Sequence, residues 1–308
     1  MIDLTLANLD VAIIHQHLRQ HIHSLSEKIG VRSIYTYDKL CQAEHYIHGI
    51  FEKLGYNVER QTFHFLGHEV ANLIAHTSSP FTAQEQYILC AHYDTAPGTP
   101  GADDNASAVA ILLEVARLAR ELHLNSNEKV NWSFVAFTTE EPPAFHSRHQ
   151  GSRVFARHVK KQKQRIDGVI NLEMLGYFLD SPNSQQLPLP LHFFGYPSIG
   201  NFVGVVGNWR SRHLTRQLAA SMRKNPALPV EYAIVPERGF LLFAVRLSDH
   251  SSFWDHGYPA VMVTDTAFFR NPYYHTMEDT MEKLNFSAMA EVVRSLVVFL
   301  SEVGEFPQ

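Results

Sequence analysis

Short apolar runs that alternate with longer amphipathic segments constrain this fold more than any other feature of the sequence. Residues 86–92 and 130–137 have the length and the apolar character of buried strands. Between them, residues 106–122 carry apolar side chains at helical spacing. Strands that alternate with helices predict an α/β fold, here a three-layer sandwich with a mostly parallel central sheet and helices on both faces.

The same reasoning extends to the rest of the chain. The first 55 or so residues are predicted to form a helical N-terminal segment, and the proline-rich residues 180–200 a surface excursion. In such a sheet the ligand site lies outside the carboxyl ends of the strands. The further strands expected are 58–65, 70–75, 168–172, 230–235 and 260–263, and the further helices are 152–163 and 286–303.

Composition excludes several classes of protein. The 308 residues carry a formal net charge of −5, so the chain lacks the basic surface that phosphate backbones attract, and nucleic acid is not an expected partner. Cys41 and Cys90 cannot build a disulfide framework. No apolar run approaches the ~18 residues of a membrane span, so no membrane association is expected. The first residues do not resemble a secretory signal, which predicts a cytoplasmic chain, although a processed secreted chain would look similar.

Polar clusters follow the predicted strands, and one more cluster lies late in the chain. Each cluster alone is typical of a turn, a helix N-cap or a solvated strand end. Because they recur at strand ends of one α/β pattern, they predict a single site. Together they supply two imidazoles and several carboxylates, from His92, Asp94, Asp103, Asp104, Glu140, Glu141, Glu173 and His275.

These groups suit a pair of divalent metal ions. Imidazole and carboxylate together favour zinc, and a catalytic site keeps a position open for water. Two ions ~3.5–4 Å apart need one bridging carboxylate and separate ligands for each. One further acid must remain to handle the proton of the water. The adjacent pair Glu140 and Glu141 allows that division, because neighbouring side chains on an extended segment point in different directions.

From His92 to Asp279 the chain resembles the bacterial leucyl aminopeptidase family of co-catalytic zinc exopeptidases. Relatives of that family include glutamate carboxypeptidases and glutaminyl cyclases. The resemblance covers most of the chain after about residue 70 and implies the zinc exopeptidase fold, which is phosphorylase/hydrolase-like. It rests on motifs that occur in the family's order: His92-Tyr-Asp94, Gly101-Ala-Asp-Asp104-Asn105, Thr139-Glu140-Glu141, Asn171-Leu-Glu173, Ser248-Asp249-His250 and Tyr274-His275-Thr276.

The resemblance also implies residue roles. Asp104 would bridge two zinc ions, with His92 and Glu173 completing one site and Glu141 and His275 the other. Glu140 would be the general base.

Supporting roles follow from the same resemblance. Asp94 would hydrogen-bond His92 and fix its tautomer. Tyr274 would donate a hydrogen bond to the oxyanion. Ser248 and Asp249 would support the ligands or line the pocket. In related enzymes the peptide bond that corresponds to Asp104–Asn105 is cis.

The implied activity is that of an aminopeptidase. A metal-bound water would hydrolyse the N-terminal residue from peptides with a free amino terminus, and Glu140 would accept its proton. This chain departs from the family in having Glu173 where many relatives have Asp, and a longer link at residues 142–150. Candidate residues of the substrate pocket are Phe145, Phe240, Arg246 and Phe253.

Other functions remain open from the sequence. A glutaminyl cyclase-like acyltransferase would need a single zinc at Asp104, Glu141 and His275. A carboxypeptidase or dipeptidase and a non-catalytic descendant are further alternatives. The candidate ligands span residues 92–275, on both sides of the proline-rich excursion, so we predict one domain over residues 1–308.

Overall fold

An eight-stranded sheet forms the centre of the computed structural model, which describes residues 9–76, 85–124, 130–187 and 195–303. Its strand order is β1-β2-β4-β3-β5-β8-β6-β7. None of the helices in the described part of the chain is long and apolar enough to cross a membrane. The strands are β1 Asn57–Phe65, β2 His68–His76, β3 Glu85–His92, β4 Val130–Phe137, β5 Gly168–Glu173, β6 Val203–Asn208, β7 Val230–Val235 and β8 Ala260–Thr264.

The central strands β4, β3, β5 and β8 are parallel to one another. Their carboxyl ends therefore meet at one edge of the sheet, which we call the active edge. Strands β1 and β2 form an antiparallel hairpin on one side, and β6 and β7 run parallel to each other but antiparallel to β8 on the other. The near-continuous apolar sequence of the central strands reflects burial on both faces.

Helices cover both faces and confirm the predicted α/β sandwich. Helices α1, α2, α3, α5 and α7 pack on one face, and α4 and α6 on the other. Trp132 of β4 meets Phe299 of α7 edge-on at 6.3 Å between ring centroids, which joins the sheet to the first layer. The helices are α1 Val11–Ile22, α2 Tyr37–Lys53, α3 Ala108–Glu121, α4 Gly151–Lys161, α5 Arg212–Met222, α6 His250–His256 and α7 Phe286–Glu302.

The sequence prediction missed β6, α5 and α6. Strand β6 contains Gly204 and Gly207, and glycine weakens a strand signal because it has no side chain to pack. The described residues 180–187 of the proline-rich segment include Gln185, which is buried and bonded to Arg270. Residues 188–194 lie outside the described part of the chain. The assignment of the whole chain to one domain stays a prediction.

Candidate metal centre

The candidate ligands converge on the active edge. His92 is the last residue of β3, Glu173 is the last residue of β5, and Glu141 lies four residues beyond the end of β4. Asp104 comes from the turn Ala102–Ser107 that leads into α3. His275 comes from the segment after β8. The parallel strands therefore bring together side chains that are far apart in sequence.

Asp104 stands between two groups of candidate ligands. In the first group, His92 Nε2 lies 3.5 Å from Asp104 Oδ1 and 3.5 Å from Glu173 Oε1. In the second group, His275 Nε2 lies 3.1 Å from both Asp104 Oδ2 and Glu141 Oε1. Within each group one atom from every residue lies within 4.8 Å of the others, as ligands of one ion do. Asp104 thus offers one oxygen to each group, which is the geometry of a bridging carboxylate.

The donor set fits divalent cations. Asp104 is 2% exposed, and its Oδ1 atom has no hydrogen-bond partner among the described residues. A buried carboxylate oxygen without a partner is costly unless a cation or donor compensates it. Two imidazoles and three carboxylates with such an oxygen between them suit zinc.

The charges in the site depend on one another. Burial alone would lower the pKa of His275, but its hydrogen bonds with Asp104 and Glu141 raise that pKa to about 10. Burial and the charge of Asp104 raise the pKa of Glu141 to about 8, although His275 opposes the change. Burial would likewise lower the pKa of His92, but Glu173, Asp104 and Asp94 hold it well above its usual value. The carboxylates therefore favour the protonated, positively charged form of both imidazoles.

Glu140 belongs to neither ligand group. Its side chain is 5% exposed, and its Oε1 atom has no hydrogen-bond partner in the described part of the chain. Burial raises the pKa of this carboxyl well above its usual value, with smaller contributions from Glu141 and Asp249. It is therefore a buried acid with free proton-accepting capacity beside both groups.

Asp94 holds the backbone behind the site. Its two oxygens accept hydrogen bonds from the backbone N–H groups of Glu140, at 3.0 Å, and Glu141, at 3.1 Å. The distance from Asp94 Oδ1 to His92 Nδ1 is 3.5 Å, which is longer than an ordinary hydrogen bond. The sequence predicted a hydrogen bond between Asp94 and His92, but His92 Nδ1 has no hydrogen-bond partner among the described residues. It also missed the two backbone contacts, which no residue pattern reveals.

Other buried polar groups support individual ligands. Ser248 donates a hydrogen bond to Glu173 Oε2 and accepts one from Asn171. Asp249 accepts one from Gln150 at 3.0 Å, and burial raises its pKa to about 6.

Asp279 is a supporting residue for which the sequence predicted no role. Its carboxylate accepts the backbone N–H groups of Asp103 and Asp104, at 2.9 and 3.1 Å. The peptide bond between Asp104 and Asn105 is cis, as expected.

An apolar pocket opens beside the first ligand group. Tyr274 and Glu173 form part of its lining, and its volume is about 890 Å³ including the solvent-filled mouth. The ring of Tyr274 stacks on that of His275 at 3.8 Å between centroids. Burial and the nearby carboxylates keep the pKa of Tyr274 far above its usual value, so its hydroxyl retains its proton. Phe145 is partly exposed and stacks on His146, outside the lining of this pocket.

The other three predicted pocket residues also lie outside this lining, so none of the four predictions was correct. Phe253 is fully buried and packs in the core between the sheet and α4. The guanidinium of Arg246 is 3.0 Å from both carboxylate oxygens of Asp255, so it is already paired. Phe240 is 63% exposed and covers Arg246, with 4.1 Å from the guanidinium carbon to the ring centroid. Apolar composition alone does not distinguish a core aromatic residue from one in a pocket.

Most of the chain matches the model of one protein family. The model of peptidase family M28 matches residues 72–300, a range that includes both ligand groups. The chain belongs to peptidase family M28. This confirms the resemblance to zinc exopeptidases that the sequence motifs indicated.

Individual relatives of this M28 chain differ in how much is known of them. Uncharacterized protein YfbL of Escherichia coli (strain K12) is 35% identical, over 92% of this chain and 87% of its own length. A probable leucine aminopeptidase of Trichophyton verrucosum is 25% identical over 76% of this chain. The match spans 57% of that longer protein.

Solved structures share the fold. BSAP, a zinc aminopeptidase from Bacillus subtilis, superposes with a TM-score of 0.71 at 15% identity, over 94% of both chains. A glutaminyl cyclase from Macrostomum lignano superposes with a TM-score of 0.69 at 17% identity, over 96% of this chain and 93% of its own. Because both hydrolases and cyclases adopt this fold, the reaction must be argued from the site itself.

Proposed function

We propose that this member of peptidase family M28 is a zinc-dependent aminopeptidase that removes N-terminal residues from peptides. The observation that carries the proposal is the pair of ligand groups that share Asp104, with Glu140 left outside both. The names of the curated leucine aminopeptidases and of the B. subtilis zinc aminopeptidase support the same activity.

Two zinc ions per chain would be held by His92, Asp104 and Glu173 on one side and by Asp104, Glu141 and His275 on the other. When bound, such ions act as Lewis acids that polarise a carbonyl group and lower the pKa of water. The buried, unpartnered Oδ1 atom of Asp104 supports the first position, because a cation there would compensate it.

Residues of the protein transfer the proton. Glu140 takes a proton from the attacking water and delivers it to the leaving amine. Burial supports this role, because a raised pKa makes the carboxylate a stronger base. Asp94 holds the backbone of Glu140 in place. Tyr274 keeps its proton and donates a hydrogen bond to the carbonyl oxygen as negative charge develops there.

The requirement for a free amino terminus follows from the charges of the site. Glu141 and Glu173 would attract the substrate's amino group, while the apolar pocket receives the first side chain. These charges would therefore favour a peptide that presents its free amino terminus.

The cyclase alternative uses only the second ligand group. His92 and Glu173 would then have no metal to bind, although both are buried and lie within ligating distance of Asp104. The intact first group favours hydrolysis over cyclisation.

Substituting Glu140 tests the proposed role of the base. We expect Glu140→Gln to lower kcat on aminoacyl-arylamides about 10²–10⁴-fold, because the amide cannot accept the proton. Zinc content, measured by mass spectrometry of the metal, should stay at the wild-type value because Glu140 is not a ligand. The exposed Glu278 provides a control, and Glu278→Gln should keep wild-type kcat. Wild-type hydrolysis by a zinc-loaded Glu140→Gln protein would contradict the assignment.

A further inference from the structure

The floor of the apolar pocket continues along the sheet, well beyond the metal centre. Glu173 of β5 pairs in register with Thr264 of β8, and Thr264 pairs with Gly204 of β6. Gly204 in turn pairs with Glu231 of β7. These four residues form one row across four neighbouring strands, and residues paired in register point to the same face of a sheet. With strands about 4.8 Å apart, Glu173 and Glu231 lie about 14 Å from each other along this row.

The row has a carboxylate at each end, and an apolar channel lies between the two. Glu173 and Glu231 are the only charged side chains among the described residues that line the pocket. Between them the walls are mainly apolar, and Val206, Val245 and Met262 form part of them. No basic side chain lies in the described part of this lining. A carboxylate therefore stands at the far end of an apolar channel, where it can meet a cation that arrives through the channel.

Gly204 keeps the floor open between the two ends. It has no side chain, and a Cβ atom at this position would meet no heavy atom closer than 3.6 Å. Such contacts are of ordinary van der Waals length, so no neighbouring atom fills the place of the missing side chain. A straight aliphatic chain could lie over Gly204 with its tip toward Glu231.

Glu231 keeps capacity for another donor. Its side chain is 34% exposed. One oxygen lies 3.5 Å from Arg223 Nη2, at the outer limit of a hydrogen bond. Arg223 forms this ion pair while its Nε atom donates to the carbonyl of Val230 and its guanidinium lies over Tyr232. A carboxylate has about four acceptor positions, so this single weak contact leaves most of them unused.

We propose that this pocket selects peptides whose N-terminal residue has a long cationic side chain, lysine or arginine. This inference rests on the proposed aminopeptidase function and names its substrate class. The substrate's amino group lies near Glu173, its methylene stem packs on the apolar walls, and its ammonium or guanidinium group reaches Glu231. Lys and Arg suit such a channel because they combine an apolar stem with a charged tip.

The test compares arginine with citrulline, which has nearly the same shape but no charge. The wild-type protein, loaded with zinc, is assayed on the arylamides of both amino acids. We expect kcat/KM to be about 10-fold or more higher for arginine, the size expected of a hydrogen bond to a charged group. In Glu231→Gln this ratio should fall toward 1. Glu302→Gln is a control in which a partly buried, ion-paired carboxylate outside the pocket is changed, and it should keep the wild-type ratio.

The ratio distinguishes selectivity from loss of fold, because misfolding lowers both rates alike. A wild-type ratio near 1 would overturn the inference without any variant. An arginine preference that persists in Glu231→Gln would overturn the role of Glu231.

Leucine arylamide separates this inference from the function on which it rests. If leucine arylamide is hydrolysed but arginine is not preferred over citrulline, the inference is contradicted and the aminopeptidase activity is still supported. Failure to hydrolyse any substrate with a free amino group would remove both.

Discussion

At the scale of single residues, Asp94 connects the metal ligands to the general base. Its carboxylate accepts the backbone N–H groups of both Glu140 and Glu141 and lies beside His92. One side chain therefore sets the position of the base and of a ligand in the second group, and it lies next to a ligand in the first. Such outer contacts control the orientation and basicity of the groups that they hold.

We predict that Asp94→Asn weakens zinc binding and lowers kcat, each by about 10–100-fold. The amide keeps one acceptor oxygen, but its NH₂ group opposes one of the two backbone N–H groups. Competition with a chelator measures the zinc affinity, and arylamide hydrolysis measures kcat. Asp180→Asn is the control, because Asp180 is exposed and its hydrogen bond among the described residues is with Asn201. Wild-type affinity and rate in Asp94→Asn would show that the carboxylate does not position the site.

The sequence predicted the metal ligands better than the residues that hold the ligands in place. Imidazoles and carboxylates that recur at strand ends indicated a metal site, and the family resemblance implied which residues are its ligands. The structure brings together all five: His92, Asp104, Glu141, Glu173 and His275. The contacts of Asp279 are with backbone N–H groups, which have no signature in sequence. Phe253 was misplaced because an aromatic residue in the core and one in a pocket look the same in sequence.

At the scale of elements, Gly207 determines how closely α5 approaches β6. A Cβ atom at this position would lie 2.0 Å from Thr215 Oγ1 on α5. We predict that Gly207→Ala lowers the free energy of unfolding by about 1–3 kcal/mol, because the helix must move away. Denaturant unfolding measures the change.

Gly49 provides a matched control for this prediction. It lies in α2 with nothing within 4 Å of its Cβ direction. Gly49→Ala should raise the free energy of unfolding by about 0.5–1 kcal/mol, because alanine favours a helix. Equal effects of the two substitutions would contradict the packing argument.

His21 joins α1 to α2 through a 2.8 Å contact of its Nδ1 atom with the hydroxyl of Tyr46. Burial, with the charges of His17 and Arg117, lowers its pKa from 6.5 to about 4. Between these pH values the unfolded chain binds a proton that the folded chain excludes. Stability from this group is therefore complete above pH 6.5 and is lost as the pH falls toward 4, by up to about 3 kcal/mol at 1.36 kcal/mol per pH unit.

We predict that His21→Gln unfolds with a weaker dependence on pH between 6.5 and 4 than the wild type. Glutamine can still bond to Tyr46 but does not titrate. Urea unfolding at several pH values measures the slope. His23→Gln, at a neighbouring but more exposed position, should keep the wild-type slope. Identical slopes for all three proteins would exclude His21 as a source of acid sensitivity.

Most elements could be predicted, and the omissions have a common physical cause. Strands β4 and β7 have the bounds that the sequence predicted, because both segments consist mainly of apolar residues and polar residues or proline flank them. Strand β6 was missed because it contains two glycines, which have a low strand propensity. One glycine lies at the pocket floor and the other at the contact with α5. Tertiary contacts determine which residue occupies such positions, and the local sequence pattern does not show those contacts.

At the scale of the whole molecule, one site gathers residues that are spread between positions 92 and 275 of the 308-residue chain. His92 and His275 are separated by most of the fold, yet both lie within 3.5 Å of Asp104. Parallel strands make this possible, because they deliver their carboxyl ends to one edge whatever their distance in sequence. The family resemblance and the alternation of elements predicted that edge correctly. The extension of the pocket toward β7 could not be predicted, since it depends on strand register.

Hydrolysis of aminoacyl-arylamides with free and acetylated amino groups tests the central claim most directly. The account predicts that the zinc-loaded protein releases arylamine only from the free-amino substrates. A chelator should abolish that release, and added zinc should restore it. Equal cleavage of acetylated substrates, cleavage that resists the chelator, or cyclisation of an N-terminal glutamine peptide without arylamide hydrolysis would contradict the assignment as a zinc aminopeptidase.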